Sequence, residues 1–118
     1  MELEPKVRGC CRLDVRSELT EAQARPLAER FAALADPNRL RLLEILGRCA
    51  GKVCVCELVE ALPLSQPTIS HHLRVLRAAG LIDYEKQGVW AYYYVRRDAL
   101  QDLESQLAGL KGDVDVHA

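Results

Sequence analysis

Apolar residues recur at three- and four-residue steps along most of this chain, with one β-branched and aromatic stretch between them. Leu27, Phe31 and Leu34 make one face of a first helix. Thr20 followed by Gln23 has the form of a reciprocal N-terminal cap. Pro26 falls inside that helix, so it either starts at Thr20 and kinks or starts at Pro26 as its first residue. "ADPNRL" begins a second helix, with Asp36 as cap, Pro37 next, and Leu40, Leu43 and Leu46 facing inward. Gly47 and Gly51 bracket a loop that holds Cys49. Val55 to Leu62 reads as a short third helix, and Pro63-Leu64 as a turn. Ser65 caps a fourth helix whose Ile69, Leu73 and Leu76 face the core, and Gly80 stops it. "LIDYEK" and "VWAYYYV" flank a Gln87-Gly88 bend and predict strand, turn, strand. A last helix, capped near Asp98, carries Leu100, Leu103, Leu107 and Leu110, a narrow seam suited to a partner helix. Residues 1–18 show no period and read as a mobile arm. Residues 113–118 read as a tail, leaving 19–112 as one domain.

A chain of 118 residues is one domain's worth, and a domain this small gains much by pairing with a copy. With 49% apolar and 28% charged residues the composition is that of an ordinary soluble protein. No apolar run has the length to span a bilayer, so no membrane partner is expected. "MELEPKVRGCC" lacks the apolar stretch of a secretory signal, which predicts a cytoplasmic protein. Five cysteines in that compartment point to metal or redox chemistry before structural disulfides. The net charge of −1 is unevenly spread: residues 65–97 hold five Lys/Arg against two Asp/Glu, and residues 98–118 one Lys against five acids.

Two helices joined by a tight turn and followed by a hairpin predict a mainly α fold with a small β-hairpin, a winged helix-turn-helix. The outer side of the fourth helix presents Ser70, His71 and Arg74, with Gln66 and Thr68 near its start. Short polar groups at a helix N-terminus suit base edges and phosphates. His72 flanks the apolar side and is read as a packed histidine. Lys86 and Gln87 at the hairpin tip, and Arg96 or Arg97 at its base, are placed to meet phosphates. Each of these residues alone is equally well a solvated surface group; the ordered set points to double-stranded DNA.

Cys54 and Cys56 stand two apart. On a regular helix they diverge, whereas an extended stretch points both the same way. The junction of loop and third helix meets that need, and a helix N-terminus favours thiolate. The plainer alternative is a pair of small buried hydrophobes. Cys10 and Cys11 are adjacent, so sharing an ion demands a turned backbone, which Gly9 eases; a vicinal disulfide is the strained alternative. The arm from Cys11 to Thr20 spans up to roughly 30 Å when extended, enough to reach the third helix of its own or another subunit.

"FAALADPNRLRLLEIL", "CVCELVEAL" and "LSQPTISHHLRVLRAAGLI", with the hairpin, resemble the ArsR/SmtB family of metal-sensing repressors over roughly Leu27 to Leu107. The resemblance implies a homodimer joined through the first and last helices. It also implies repression of a resistance operon at operator DNA, relieved when metal binds. "CVCEL" beside "SQPTISHHL" is most similar to the arsenical repressors, which implies As(III) or Sb(III) as inducer. Two thiols on an arm plus two at the third helix resemble the cadmium/lead branch, which keeps Cd(II)/Pb(II) open. Arsenical members with "CVC" usually add a third cysteine one turn on. Val59 stands there here, so the third sulfur falls to Cys10, Cys11 or Cys49. The family's zinc site on the last helix has no counterpart in "VRRDALQDLESQL", which lacks histidine; His117 lies in the tail.

Three thiolates around trivalent arsenic are neutral. Four around a divalent ion leave −2, which Arg8, Arg12 and Lys52 could offset. A repressor released by thiol oxidation, with no metal, is the rival use of the same cysteines. No nucleophile–base set or Gly-rich phosphate loop suggests an enzyme.

Overall fold

The computed structural model describes residues 15–49 and 52–112. The arm cysteines Cys10 and Cys11, the end of the loop after Cys49 and the tail with His117 lie outside the described residues. Helix α1 spans Glu21–Leu34. Its start is fixed by reciprocal bonds: Thr20 Oγ1 accepts from the Gln23 N–H at 3.1 Å, and Gln23 Oε1 accepts from the Thr20 N–H at 3.0 Å. The helix therefore begins before Pro26, which sits inside it. The missing N–H leaves free only the carbonyl of Ala22, an exposed residue open to water.

Helix α2 covers Pro37–Arg48, and the Asp36 carboxylate accepts from the N–H groups of Asn38 and Arg39. Leu42 and Leu46 are its buried residues, one turn apart. Leu40, expected inward, is half exposed. In "LRLLEIL" nearly every position is apolar, so the pattern alone leaves the inner face undetermined, and Leu42 takes it.

Strand β1 (Val53–Cys54) leads directly into α3 (Val55–Ala61), and α4 follows at Gln66–Ala78. Ser65 caps α4, and Ile69, His72, Leu73 and Leu76 are its buried face. Its end is a full Schellman closure: the Leu81 N–H donates to the Leu76 carbonyl and the Gly80 N–H to that of Arg77. Gly80 takes a φ of +79°, which favours glycine.

Strands β2 (Ile82–Gln87) and β3 (Trp90–Val95) form the hairpin. Its turn is Gly88-Val89, one residue beyond the expected bend, since Gln87 still pairs with Trp90. Gly88 at φ +65° supplies the positive dihedral at the first turn position. The sheet has three strands rather than two, in the order β1-β3-β2, with Val53 opposite Tyr93 and Cys54 opposite Tyr92.

Helix α5 spans Arg97–Leu110. Its cap is Arg96, not Asp98; Asp98 lies in the first turn, where its carboxylate meets the helix N-terminus and accepts from Arg96 at 3.0 Å. The core gathers Leu42, Leu46, Leu58, Ile69, Leu73, Leu76, Leu81 and Ile82, all essentially without solvent contact. No helix among the described residues is long and apolar enough to cross a membrane.

Candidate nucleic-acid interface and thiol pair

The buried leucines of α4 fix which side of it faces out. Gln66, Thr68, His71 and Arg74 are exposed and Ser70 is half buried, all on the side away from Leu73 and Leu76. Thr68 Oγ1 lies 3.0 Å from Ser65 Oγ, so the two hydroxyls share a proton at the helix start. Arg74 makes no hydrogen bond or ion pair among the described residues, and its guanidinium stays available. Lys86 and Gln87 are exposed at the end of β2. At the base of the hairpin both arginines already have partners: Arg96 donates to Asp98, and Arg97 donates to the Gly47 carbonyl at 3.4 Å.

His72 is buried, as its place on the wheel predicts. Arg39 Nη1 stands 3.2 Å from its Nδ1. A guanidinium only donates, so Nδ1 accepts and the neutral ring carries its proton on Nε2. Arg39 also donates from Nε to the Ala33 carbonyl at 2.7 Å. That one side chain thus ties the end of α1 to α4, a link the sequence pattern does not show.

At the far end of α4, Arg77 donates to Asp83 Oδ1 at 3.0 Å and lies over the Tyr84 ring. The guanidinium, with the Tyr84 N–H donating to the same oxygen, holds the Asp83 carboxyl below the ordinary carboxylate value. Burial pushes the Tyr93 phenol up.

The strand–helix junction brings the sulfurs of Cys54 and Cys56 together; they are joined as a disulfide, with Cα atoms 5.4 Å apart. Cys54 is extended and buried, and Cys56 sits exposed in the first turn of α3. The Glu57 carboxylate accepts from the Cys54 N–H at 2.9 Å, closing the helix start. This capping partner was not read from the sequence, although "CVCE" has the three-residue spacing of a capping box. Cys49 is not part of the group. It borders a separate cavity of about 460 Å³ with Ile45, Arg48, Lys52, Val53 and Glu57. Among the described residues no three potential ligands converge on one point. Instead Cys56 borders a cleft of about 300 Å³ with Val55, Gln66, Val89, Trp90 and Ala91, between α3, the start of α4 and the wing tip.

Comparison with known proteins places this geometry. The model of bacterial regulatory proteins of the arsR family matches residues 36–84. An uncharacterised HTH-type transcriptional regulator of Methanocaldococcus jannaschii is 42% identical over 76 residues, spanning 64% of this chain and 84% of that one. An arsenical resistance operon repressor of Bacillus subtilis is 37% identical over 94 residues, 79% of this chain and 84% of its own. Among solved structures, an ArsR-like transcriptional regulator from Rhodococcus sp. RHA1 superposes with a TM-score of 0.72 at 31% identity, covering 80% of this chain and 84% of that one.

Proposed function

Since the chain belongs to the ArsR family of bacterial regulatory proteins, we propose that it is a metalloid-responsive repressor. It binds operator DNA as a homodimer and releases it when Cys54 and Cys56 ligate As(III) or Sb(III). One observation carries this reading: the thiol segment belongs at once to both DNA-contacting parts. Cys54 pairs in the sheet with Tyr92 of the wing, and Cys56 starts α3, which packs on α4.

Gln66, Thr68, Ser70, His71 and Arg74 read the major groove, while Lys86 and Gln87 hold backbone phosphate. In a dimer two such helices must meet grooves one turn apart. Ligation that shifts the strand–helix junction moves the wing and tilts α4 together. Release then follows by linkage, with a coupling of about 1–3 kcal/mol, roughly 5- to 150-fold in affinity. The likeness to an arsenical resistance repressor and the neutrality of a three-thiolate arsenic unit support arsenic. Its third sulfur comes from Cys10, Cys11 or Cys49.

The disulfide favours a second reading, in which peroxide takes two electrons and two protons from the dithiol, leaving water and a protein that has let go of DNA.

The test is fluorescence anisotropy on a duplex selected from a random library by the reduced protein. Arsenite or antimonite should release it, and Cys54→Ser or Cys56→Ser should bind DNA yet ignore both. Release by Cd(II) or Pb(II) alone, or by peroxide alone, overturns the arsenic assignment. Arg74→Ala should weaken binding by about 1–3 kcal/mol if it reads a base, or lower the salt slope by about one if it meets phosphate. Unchanged affinity removes Arg74 from the interface.

A further inference from the structure

Trivalent arsenic has three valences, and the described part of the protein brings two thiols together rather than three. Cys49 borders a different cavity from Cys56. Beside the exposed Cys56 lies the cleft of about 300 Å³, walled by Val55, Val89, Trp90 and Ala91 with one amide, Gln66, at its edge. Two of those walls are apolar groups left in water by the monomer: Val89 is 85% and Trp90 54% exposed. An apolar cavity of about 150 Å³ is enough to hold benzene.

We propose that this pair and cleft form a site for singly substituted trivalent arsenicals, R–As(OH)2, in which Cys54 and Cys56 bind the arsenic and the organic group R occupies the cleft beside Trp90. The proposal rests on the thiol-ligand reading above and names its ligand class. The chemistry balances without redox change at arsenic. Two As–O bonds break and two As–S bonds form; each thiol proton leaves with a hydroxide as water. Arsenic stays trivalent and the bound unit is neutral, so no basic neighbour is needed to offset charge. The pair must be the dithiol, which a phosphine provides by taking up the oxygen of one water as it reduces the disulfide. A ring in the cleft stands between Gln66 of the reading helix and the wing tip, on the face proposed to meet DNA, so R and operator compete for the same space.

The chain's one tryptophan reports the event. The full-length Cys10→Ser/Cys11→Ser/Cys49→Ser protein, reduced with phosphine, is titrated with arsenite, methylarsonous acid and phenylarsonous acid. Trp90 emission and operator anisotropy are both followed. Phenylarsonous acid should quench Trp90 at one equivalent, bind at least tenfold more tightly than the methyl compound, and release operator. Arsenite should bind at least a hundredfold more weakly. Adding Ala91→Phe, which fills the cleft, should erase the phenyl preference. Equal affinity for methyl and phenyl, or arsenite binding as tightly as either, overturns the proposal. So does a phenyl preference that survives Ala91→Phe. If the wild-type protein answers arsenite while the triple variant is silent to all three, the organic site fails alone. If the wild-type protein answers none of them, the thiol-ligand reading fails with it.

Discussion

Helices α4 and α5 are nearly equal in length, 13 and 14 residues, and carry leucines at the same three- and four-residue steps. In α4 the apolar face is closed within the chain: Ile69, Leu73 and Leu76 have no solvent contact, covered from α2, α3 and β2. In α5 only the first half is closed. Leu103 is buried, but Leu107 and Leu110 remain 53% and 58% exposed. Leu103 and Leu107 border an open cleft of about 620 Å³ shared with Phe31 and Leu34 of α1. The period of the leucines states that a face is to be covered; it does not say by which chain. The open half of α5, with α1 beside it, is the surface that the proposed second copy would cover. Scattered exposed leucines are ordinary, but a contiguous row next to an apolar cleft is not.

The comparison breaks most sharply by cutting each face in turn. Leu76→Ala opens a cavity in a face that nothing else can fill, so it should cost about 2–5 kcal/mol. Urea denaturation should show that loss at every protein concentration once referred to the folded monomer. A loss below about 1 kcal/mol would mean that the α4 face is not sealed as described.

Leu107→Glu sits on the open face. It should leave helical content unchanged at high concentration and weaken self-association by roughly tenfold or more, a change of about 1.4 kcal/mol. Analytical ultracentrifugation over a dilution series reads this directly. An unaltered dimer would move the interface elsewhere.

The smallest effect concerns the ionic ties on the outer sides of the two helices. Arg77 joins the end of α4 to Asp83 of β2, whereas α5 is tied to α1 by Arg30 and Asp102 at 3.1 Å. The folded state holds the Asp83 carboxyl below its ordinary 3.8, chiefly through Arg77. A depressed folded value adds stability above the unfolded value and loses it as pH falls below that toward the folded one. Both partners are well exposed to solvent, so the gain is small. Asp83→Asn should therefore flatten the fall in thermal midpoint between about pH 4 and pH 2, with little change at pH 7. An identical acid profile would show that the pair contributes nothing.

What the sequence made legible follows how local the physics is. The caps at Thr20, Asp36 and Ser65 and the stop at Gly80 each depend on groups within a few residues, and each stands where the pattern predicts. The outward set on α4 was legible for the same reason, because burial of every third or fourth residue fixes the opposite side. Strand β1 was not legible: two residues carry no period, and their pairing depends on Tyr92 and Tyr93, remote in sequence. The inner face of α2 was ambiguous because its apolar residues are nearly continuous. The separation of Cys49 from Cys56 and the nearness of Trp90 to Cys56 arise only when the hairpin folds back over α3.

That fold-back has a consequence in time. A chain is made from its N-terminus at about 5–20 residues per second. Val53 and Cys54 leave the ribosome with the helices of the DNA-reading motif close behind, but their strand partners on β3 come only after α3, α4 and β2. For several seconds of synthesis the motif can form by local contacts while Cys54 has no strand to lie against; closing that long loop comes last. The strand that completes the wing also sets the first sulfur in register. A newborn chain therefore gains its full grip on DNA and its ordered thiol pair in the same step.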